Sequence, residues 1–454
     1  MILNRRDFGA GLAATALAGL AARAQATTSM PIVGHGPLRP DPAGLLDLAP
    51  GLAYRVIDSA GTRMDDGLPT PDRFDGMGAF RLDRDRTILV RNHELHTRHA
   101  RDGAFPAGGG SNLAAYDRLD GTPLPGGTTS IVYNHRTGQV ERRHLSLAGT
   151  IRNCAGGTTP WGSWLSCEED VSRAGQSGLA RDHGWVFEVP ARARGLVDPV
   201  PLTALGRFNH EAAAVDPATG IVYLTEDRAD SLIYRLLPAR RGDLKAGGRL
   251  QALALASGLA DTRNFGAALL PLQQPQAVRW IDLDGVDSAQ DDLRLRGADK
   301  GAALFARGEG IVMGSGQLFI MCTSGGQAKL GQIMRYRPSV HEGTAHEAEA
   351  PGQLELFVES PRADVMNFGD NITVGPGGHL VVCEDQYTEV QDNHLRGITP
   401  AGQIYAIGRL RAQTELAGAC FSADGRTLFV NVYAPGKTLA ITGPWAQVST
   451  APLS

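Results

Sequence analysis

The sequence predicts an all-β fold, a six-bladed β-propeller with helical and loop insertions between blades. Three observations predict it. Glycine is abundant, at 57 of 454 residues, and Gly-containing turns recur at matched places, which favours many short strands over helices. Six segments share one plan: a first strand opening in small or polar residues, a D-x-x-G or P-x-G turn, then a strongly apolar second strand. Most of these hairpins are followed by further strand-like runs, so that each unit can hold four strands.

The second strands, in order, are TILVRNHE (87–94), GSWLSCEED (162–170), GIVYLTEDR (220–228), GQLFIMCTSG (316–325), GHLVVCEDQ (378–386) and RTLFVNVYA (426–434). The first strands open at Asp75-Gly76-Met77, Asn153-Cys154, His210-Glu211, Gly308-Glu309-Gly310, Asp370-Asn371 and Ala417-Gly418. Outer strands come from runs such as TTSIVYNHRTGQVERRHLSL, GWVFEVP, DSLIYRLLP, LELFVES and ITPAGQIYAIG. The largest insertion, about 257–307, is expected to be partly helical. Residues 53–58, AYRVID, offer an outer strand that closes the ring against the last hairpin.

The N-terminus reads as an address. Arg5 and Arg6 precede an Ala/Gly/Leu-rich run that ends in Ala24-Gln25-Ala26. This is the pattern of a twin-arginine export signal over 1–26, leaving a single domain over 27–454. The apolar run is short for a membrane span, so a periplasmic or secreted protein with no membrane association after signal removal is expected. A net charge of −4 with no basic stripe argues against nucleic acid as a partner. A propeller closed on itself makes a monomer the default. The five cysteines (Cys154, Cys167, Cys322, Cys383, Cys420) leave at least one unpaired. Cys167, Cys322, Cys383 and Cys420 read as packing residues.

Antiparallel pairing puts the start of each first strand and the end of each second strand on one face. The sequence's unusual polar residues fall at those two places: His93 and Glu94, Cys154, Glu168 and Glu169, His210 and Glu211, Glu226 and Asp227, Glu309, Asp370 and Asn371, Glu384 and Asp385. So many carboxylates around one mouth repel one another unless cations lie between them. Carboxylates and an Asn suit a hard ion such as Ca²⁺. The Cys154 thiol points to a transition metal, iron or zinc, beside it. Arg307, two residues before Glu309, is placed to offer a planar fork of donors to a phosphate, and Arg91, Arg152, Arg207 and Arg228 are further candidates. Metals and one arginine at an open mouth describe metal-assisted phosphoryl transfer.

The stretches RNHE (91–94), GGTTSIVYN (126–134), NCAGGTTPWGSWLSCEE (153–169), FNHEAAAVD (208–216), RGEG (307–310), DNI (370–372) and CED (383–385) resemble the PhoX family of bacterial alkaline phosphatases. The resemblance runs from about residue 40 to the C-terminus, with the NCAGG…CEE block the most specific part. It implies an exported propeller phosphatase acting on a small-molecule phosphate ester, monoesters foremost and diesters as a further class, at a cluster of Fe³⁺ and Ca²⁺. Carried over by motif, it implies Cys154 as the thiolate ligand to iron and Glu211 as another iron ligand. Glu94, Glu168, Glu169, Glu309, Asp370, Asn371 and Glu384 would hold metals, Arg307 would hold the phosphate with Asn92 as a second catalytic residue, and His93 would lie at the same mouth. The chain is more compact than longer members of the family, and its sixth hairpin, ending in VNVYA, promises little chemistry. With no Ser or Thr nucleophile evident, water must supply the attacking oxygen. A calcium-dependent propeller lactonase or esterase, and a non-catalytic calcium-binding propeller, are the alternatives that fold alone leaves open.

Overall fold

The computed structural model describes residues 33–448, so the export signal expected over 1–26 lies outside the described residues. Within them the chain is all-β and propeller-like, with one short α-helix, Leu293–Asp299, in the large insertion. Among the described residues no helix is long and apolar enough to cross a membrane.

Six strands lie side by side around the centre: Phe74–Arg81, Asn153–Thr158, His210–Val215, Gly308–Gly314, Gly369–Val374 and Leu416–Phe421. Each is followed by an antiparallel partner: Arg86–His93, Ser163–Glu168, Val222–Glu226, Gln317–Cys322, Leu380–Glu384 and Thr427–Val432. Small residues let the inner strands crowd together. A Cβ on Gly76 would sit 2.5 Å from the Ala155 backbone, and one on Gly157 would sit 1.9 Å from the Ala213 carbonyl.

Counted by hydrogen bonding, the sheets are less regular than six equal four-stranded units. Two have four strands, one has three, one has five and one has nine, with a separate two-stranded hairpin. The reason is local. Gln276–Asp282 pairs along Gly248–Leu255 and then touches Gln353–Glu359 through only two residue pairs, which fuses two neighbouring sheets into the nine-stranded one. The sheet at Asn153–Thr158 stops after its third strand, Val186–Pro190.

Closure comes from the N-terminal end of the described chain. Ala53–Ser59 pairs antiparallel with Lys437–Thr442, and Leu46–Leu48 pairs with Ile404–Leu410. At the first seam Arg91 is fully buried. It donates to Asp58 at 2.9 Å and to Thr438 at 2.6 Å, and it lies over the Phe74 ring. Arg91 is therefore a seam residue and not part of the mouth. The apolar core fills the spaces between successive sheets, and Cys167, Cys322 and Cys383 are fully buried within it. Cys420 is half-buried, and none of the five thiols is in a disulfide.

Candidate metal centre

Every inner strand carries a bulge at its opening. Three inner-strand residues span the distance that two cover on the partner: Phe74 to Met77 opposite His93 to Arg91, Asn153 to Gly156 opposite Glu168 to Ser166, and likewise from His210, Gly308, Gly369 and Ala417. An extra residue bends the strand and re-aims its side chains. The residue turned to the mouth is the second of each strand: Asp75, Cys154, Glu211, Glu309, Asp370 and Ala417.

Two further rows complete the pattern. The residue after each second strand (Glu94, Glu169, Asp227, Thr323, Asp385 or Tyr433) donates its backbone N–H, at 2.8–3.2 Å, to the carbonyl of the residue just before the adjoining inner strand: Arg73, Arg152, Asn209, Arg307, Phe368 and Glu415. Four of these last residues (Arg73, Arg152, Arg307, Phe368) have φ between +46° and +53°. Side chains other than Gly and Asn rarely adopt that region, and it recurs at functional turns.

Nine carboxyl groups (Asp75, Glu94, Glu169, Glu211, Asp227, Glu309, Asp370, Asp385, Glu415) and the Cys154 thiol thus meet two guanidinium groups, Arg152 and Arg307, while Arg73 lies over the Tyr433 ring. Eight of the carboxyl and thiol side chains supply ligand atoms to three groups, each within 4.8 Å, the last two sharing Asp370: Glu94, Cys154 and Glu169; Glu211, Glu309 and Asp370; Asp370, Asp385 and Glu415. Cys154 Sγ is 3.3 Å from Glu211 Oε1 and 3.6 Å from Asp75 Oδ2. Glu211 is fully buried, and its Oε2 has no hydrogen-bond partner among the described residues.

Two ionised carboxylates at that separation repel by roughly 3 kcal/mol at an effective dielectric constant of about 20, so the protein alone cannot hold the set ionised. Burial, reinforced by neighbouring acids, pushes the carboxyls of Asp75, Glu169, Glu211, Glu309 and Glu415 well above the usual range. Burial and Asp385 push Asp370 up to about 7. Burial, Asp75 and Glu211 push the Cys154 thiol up as well. The cluster has two ways to exist, protonated or filled with cations, and the unpartnered Glu211 oxygen fits the second.

The arginines divide the acids. Arg152 donates from Nε to Glu94 at 2.9 Å and also pairs with Glu169, whose other oxygen accepts from Asn209 at 2.8 Å. Arg307 grips Asp227 with Nε and Nη2 at 2.7 and 2.9 Å, and Nη2 also reaches Glu309 at 2.8 Å. Its Nη1 takes no part in these bonds. Both guanidinium groups are held charged, their pKa raised by the facing acids against the opposing effect of burial.

The structure brings together Glu94, Cys154, Glu169, Glu211, Arg307, Glu309 and Asp370, and places four expected site residues elsewhere. Glu168 and Glu384 are the last residues of their strands, where pleat alternation turns them into the sheet. Glu168 accepts from Ile151 N at 2.9 Å, Gly184 N at 3.0 Å and His183 Nδ1 at 2.7 Å. Glu384 accepts from Asn367 N at 3.0 Å and Arg396 Nε at 2.7 Å. Asn92 also faces inward, donating to the Cys154 and Ala155 carbonyls at 3.1 and 2.7 Å and accepting from Trp164 at 2.9 Å. Asn371 lies beside Asp370 at 3.1 Å, but its oxygen accepts from Gly418 N at 2.5 Å.

His93, His210 and Glu226 turn inward too, onto Thr129, Gly206 and Tyr234. Arg207 donates to the Val171, Ser172 and Ala289 carbonyls, and Arg228 pairs with Asp291 at 3.2 Å. The sixth hairpin is not silent. It supplies Glu415 and Tyr433, whose hydroxyl bonds Glu94. Asp75, Asn209, Glu415 and Tyr433 are mouth residues that sequence reasoning missed. Their signal was the register itself, which aligns Asp75 with Cys154, and Glu415 with Arg152 and Arg307.

Known proteins share the fold and the family. Pseudomonas fluorescens PhoX, solved in complex with vanadate, a transition state analogue, shares the fold at a TM-score of 0.70 and 20% identity, covering 93% of this chain and 99% of that one. A putative gluconolactonase aligns at a TM-score of 0.43 and 11% identity over 92% of this chain and 100% of its own. A Xanthomonas campestris gluconolactonase aligns at 0.41 and 15% identity over 90% and 98%. No curated protein sequence matches the chain. The family model described as Alkaline phosphatase PhoX matches residues 33–130 and 125–436. The chain belongs to the PhoX family of alkaline phosphatases, a family of phosphoric ester hydrolases.

Proposed function

We propose that the protein is a metal-dependent phosphatase that hydrolyses phosphate monoesters, and diesters as a second class, at an iron–calcium cluster in the mouth of a six-bladed propeller. The observation that carries the reading is the convergence of nine buried or half-buried carboxyl groups and a thiol, with the Glu211 Oε2 atom buried and unpartnered. The donor set fits two kinds of cation. Cys154 with Glu94 and Glu169 would hold iron, since thiolate selects a softer metal. Glu211, whose Oε1 lies 3.3 Å from Cys154 Sγ, would be a further iron ligand, and the all-oxygen group Asp370, Asp385 and Glu415, with Glu309 beside it, would hold calcium. When bound, such cations polarise a phosphoryl oxygen and lower the pKa of water.

The chain's own residues do the rest. Arg307 is fixed by Asp227 and Glu309 so that Nη1 is left to take a phosphoryl oxygen. Arg152 spaces Glu94 from Glu169 and limits their repulsion. Asn209 fixes one Glu169 oxygen and so leaves a defined lone pair for a metal. The strained turns before the inner strands hold both arginines at the same level as the acids, a preorganised arrangement for a developing trigonal-bipyramidal phosphorane.

The six-blade count follows if the nine-stranded sheet is divided at its two-pair junction, giving one blade per inner strand. We further propose export through the twin-arginine route to the periplasm or beyond, with 1–26 as the signal and 27–454 as one monomeric catalytic domain. The test is hydrolysis of an aryl phosphate by protein purified without chelators. The reading requires turnover that chelation abolishes and that iron with calcium restores. Turnover indifferent to chelation, or none by metal-loaded protein, would overturn it.

A further inference from the structure

We infer that Tyr387 is a specificity-determining residue, an aromatic wall beside Arg307 that favours phosphate esters whose leaving group is a planar ring. The inference deepens the phosphatase reading and rests on it. Tyr387 lies in the loop that follows Asp385, two residues past the mouth row. The equivalent residues after the other five second strands are His96, Val171, Ala229, Gly325 and Pro435, so this corner of the rim holds the large phenol. The residue is 63% exposed, yet its place is defined. Its hydroxyl accepts from Arg307 Nη2 at 3.1 Å, the Arg307 guanidinium carbon lies 5.0 Å from the ring centroid, and Phe368 packs edge-on at 5.7 Å.

The order of groups around Arg307 leads to the inference. Asp227 and Glu309 hold the guanidinium from the cluster side, and Tyr387 covers it from the solvent side. A phosphoryl group held by Arg307 therefore projects its ester substituent outward past Tyr387. An aryl or heterocyclic substituent there can stack on the exposed ring, while an aliphatic polyol gains little. Val390, 72% exposed in the same loop, adds a second apolar element to the rim.

The experiment compares kcat/KM for phenyl phosphate and glycerol 1-phosphate in the metal-loaded wild-type protein, Tyr387→Phe and Tyr387→Ala. Because the side chain is exposed, both variants should fold, and their melting midpoints check this. The expected result is a fall of about tenfold in the phenyl-to-glycerol ratio for Tyr387→Ala, carried mainly by KM, with the ratio retained in Tyr387→Phe. An unchanged ratio in Tyr387→Ala overturns the inference while leaving the phosphatase reading intact. An equal loss in Tyr387→Phe also overturns it, because the hydroxyl and not the ring would then be responsible. Failure of the wild type to hydrolyse either ester overturns the phosphatase reading itself, and the inference with it.

Discussion

Glu168 and Glu169 are adjacent acids with opposite surroundings, and the pair is a small version of the whole design. Glu168 is turned into the sheet, where three backbone N–H groups and the buried His183 satisfy one oxygen or the other. Glu169 is turned to the mouth, where Arg152, Asn209 and a crowd of other acids face it. The same split recurs at Glu384 and Asp385, and at Glu226 and Asp227. Two of the inward acids do the same job. Glu168 accepts from Ile151 N and Glu384 from Asn367 N, each three residues before the mouth residue of its inner strand, Cys154 and Asp370. The inward acid thus braces the turn, and the outward acid works at the site. A doublet that reads as one feature in sequence is two devices, because side-chain direction reverses at each residue of a strand.

The largest expected effect is at the mouth. Arg307→Ala should lower kcat/KM for phosphate esters by about 10²–10³-fold, the range for removing one preorganised charge-stabilising donor, with steady-state kinetics as the check. A variant retaining wild-type kcat/KM would show that another cation takes the phosphate.

Next in size is the split between neighbours. Glu168→Gln should cost about 3–5 kcal/mol of stability in urea unfolding, because it takes the closer of two acids from the buried His183 and replaces an acceptor of several buried N–H groups. Glu169→Gln should change stability far less and lower bound metal instead. Equal effects on both measurements would erase the distinction between brace and site.

A third test uses pH. His183, buried between Glu168 and Asp117, is raised to about 10; burial opposes the shift and the two acids outweigh it. The protonated ring is favoured in the folded state, so its contribution is complete below the unfolded value near 6.5 and is lost as pH rises towards 10. Urea midpoints should fall over that window in the wild type, and His183→Gln should flatten the fall. The smallest effect belongs to the packing cysteines. Cys383→Ala should cost about 1 kcal/mol and leave metal content alone, as urea unfolding and elemental analysis would show.

The hairpin plan, the closing strand at 53–58 and the meeting of first-strand starts with second-strand ends were all legible in the sequence. Turn chemistry and antiparallel pairing are local rules. Cys154, Glu211, Glu309 and Asp370 were legible because each opens an inner strand. Two things were not. The residue at which each second strand ends carries no sequence mark, so Asn92, Glu168 and Glu384 could not be separated from Glu94, Glu169 and Asp385. Asp75 and Glu415 stand at matched registers on hairpins whose motifs look plain, and only superposing all the hairpins reveals them. The junction through Gln276–Asp282 was hidden because a bridging strand inside an insertion has no repeat partner to be compared with.

The most direct test of the central claim is elemental analysis of wild-type protein and Cys154→Ser, both purified without chelators, with Cys383→Ser as control. The account predicts iron and calcium together in the wild type, iron lost and calcium largely kept in Cys154→Ser, and both kept in Cys383→Ser. Calcium alone in the wild type, or iron unaffected by Cys154→Ser, would contradict it.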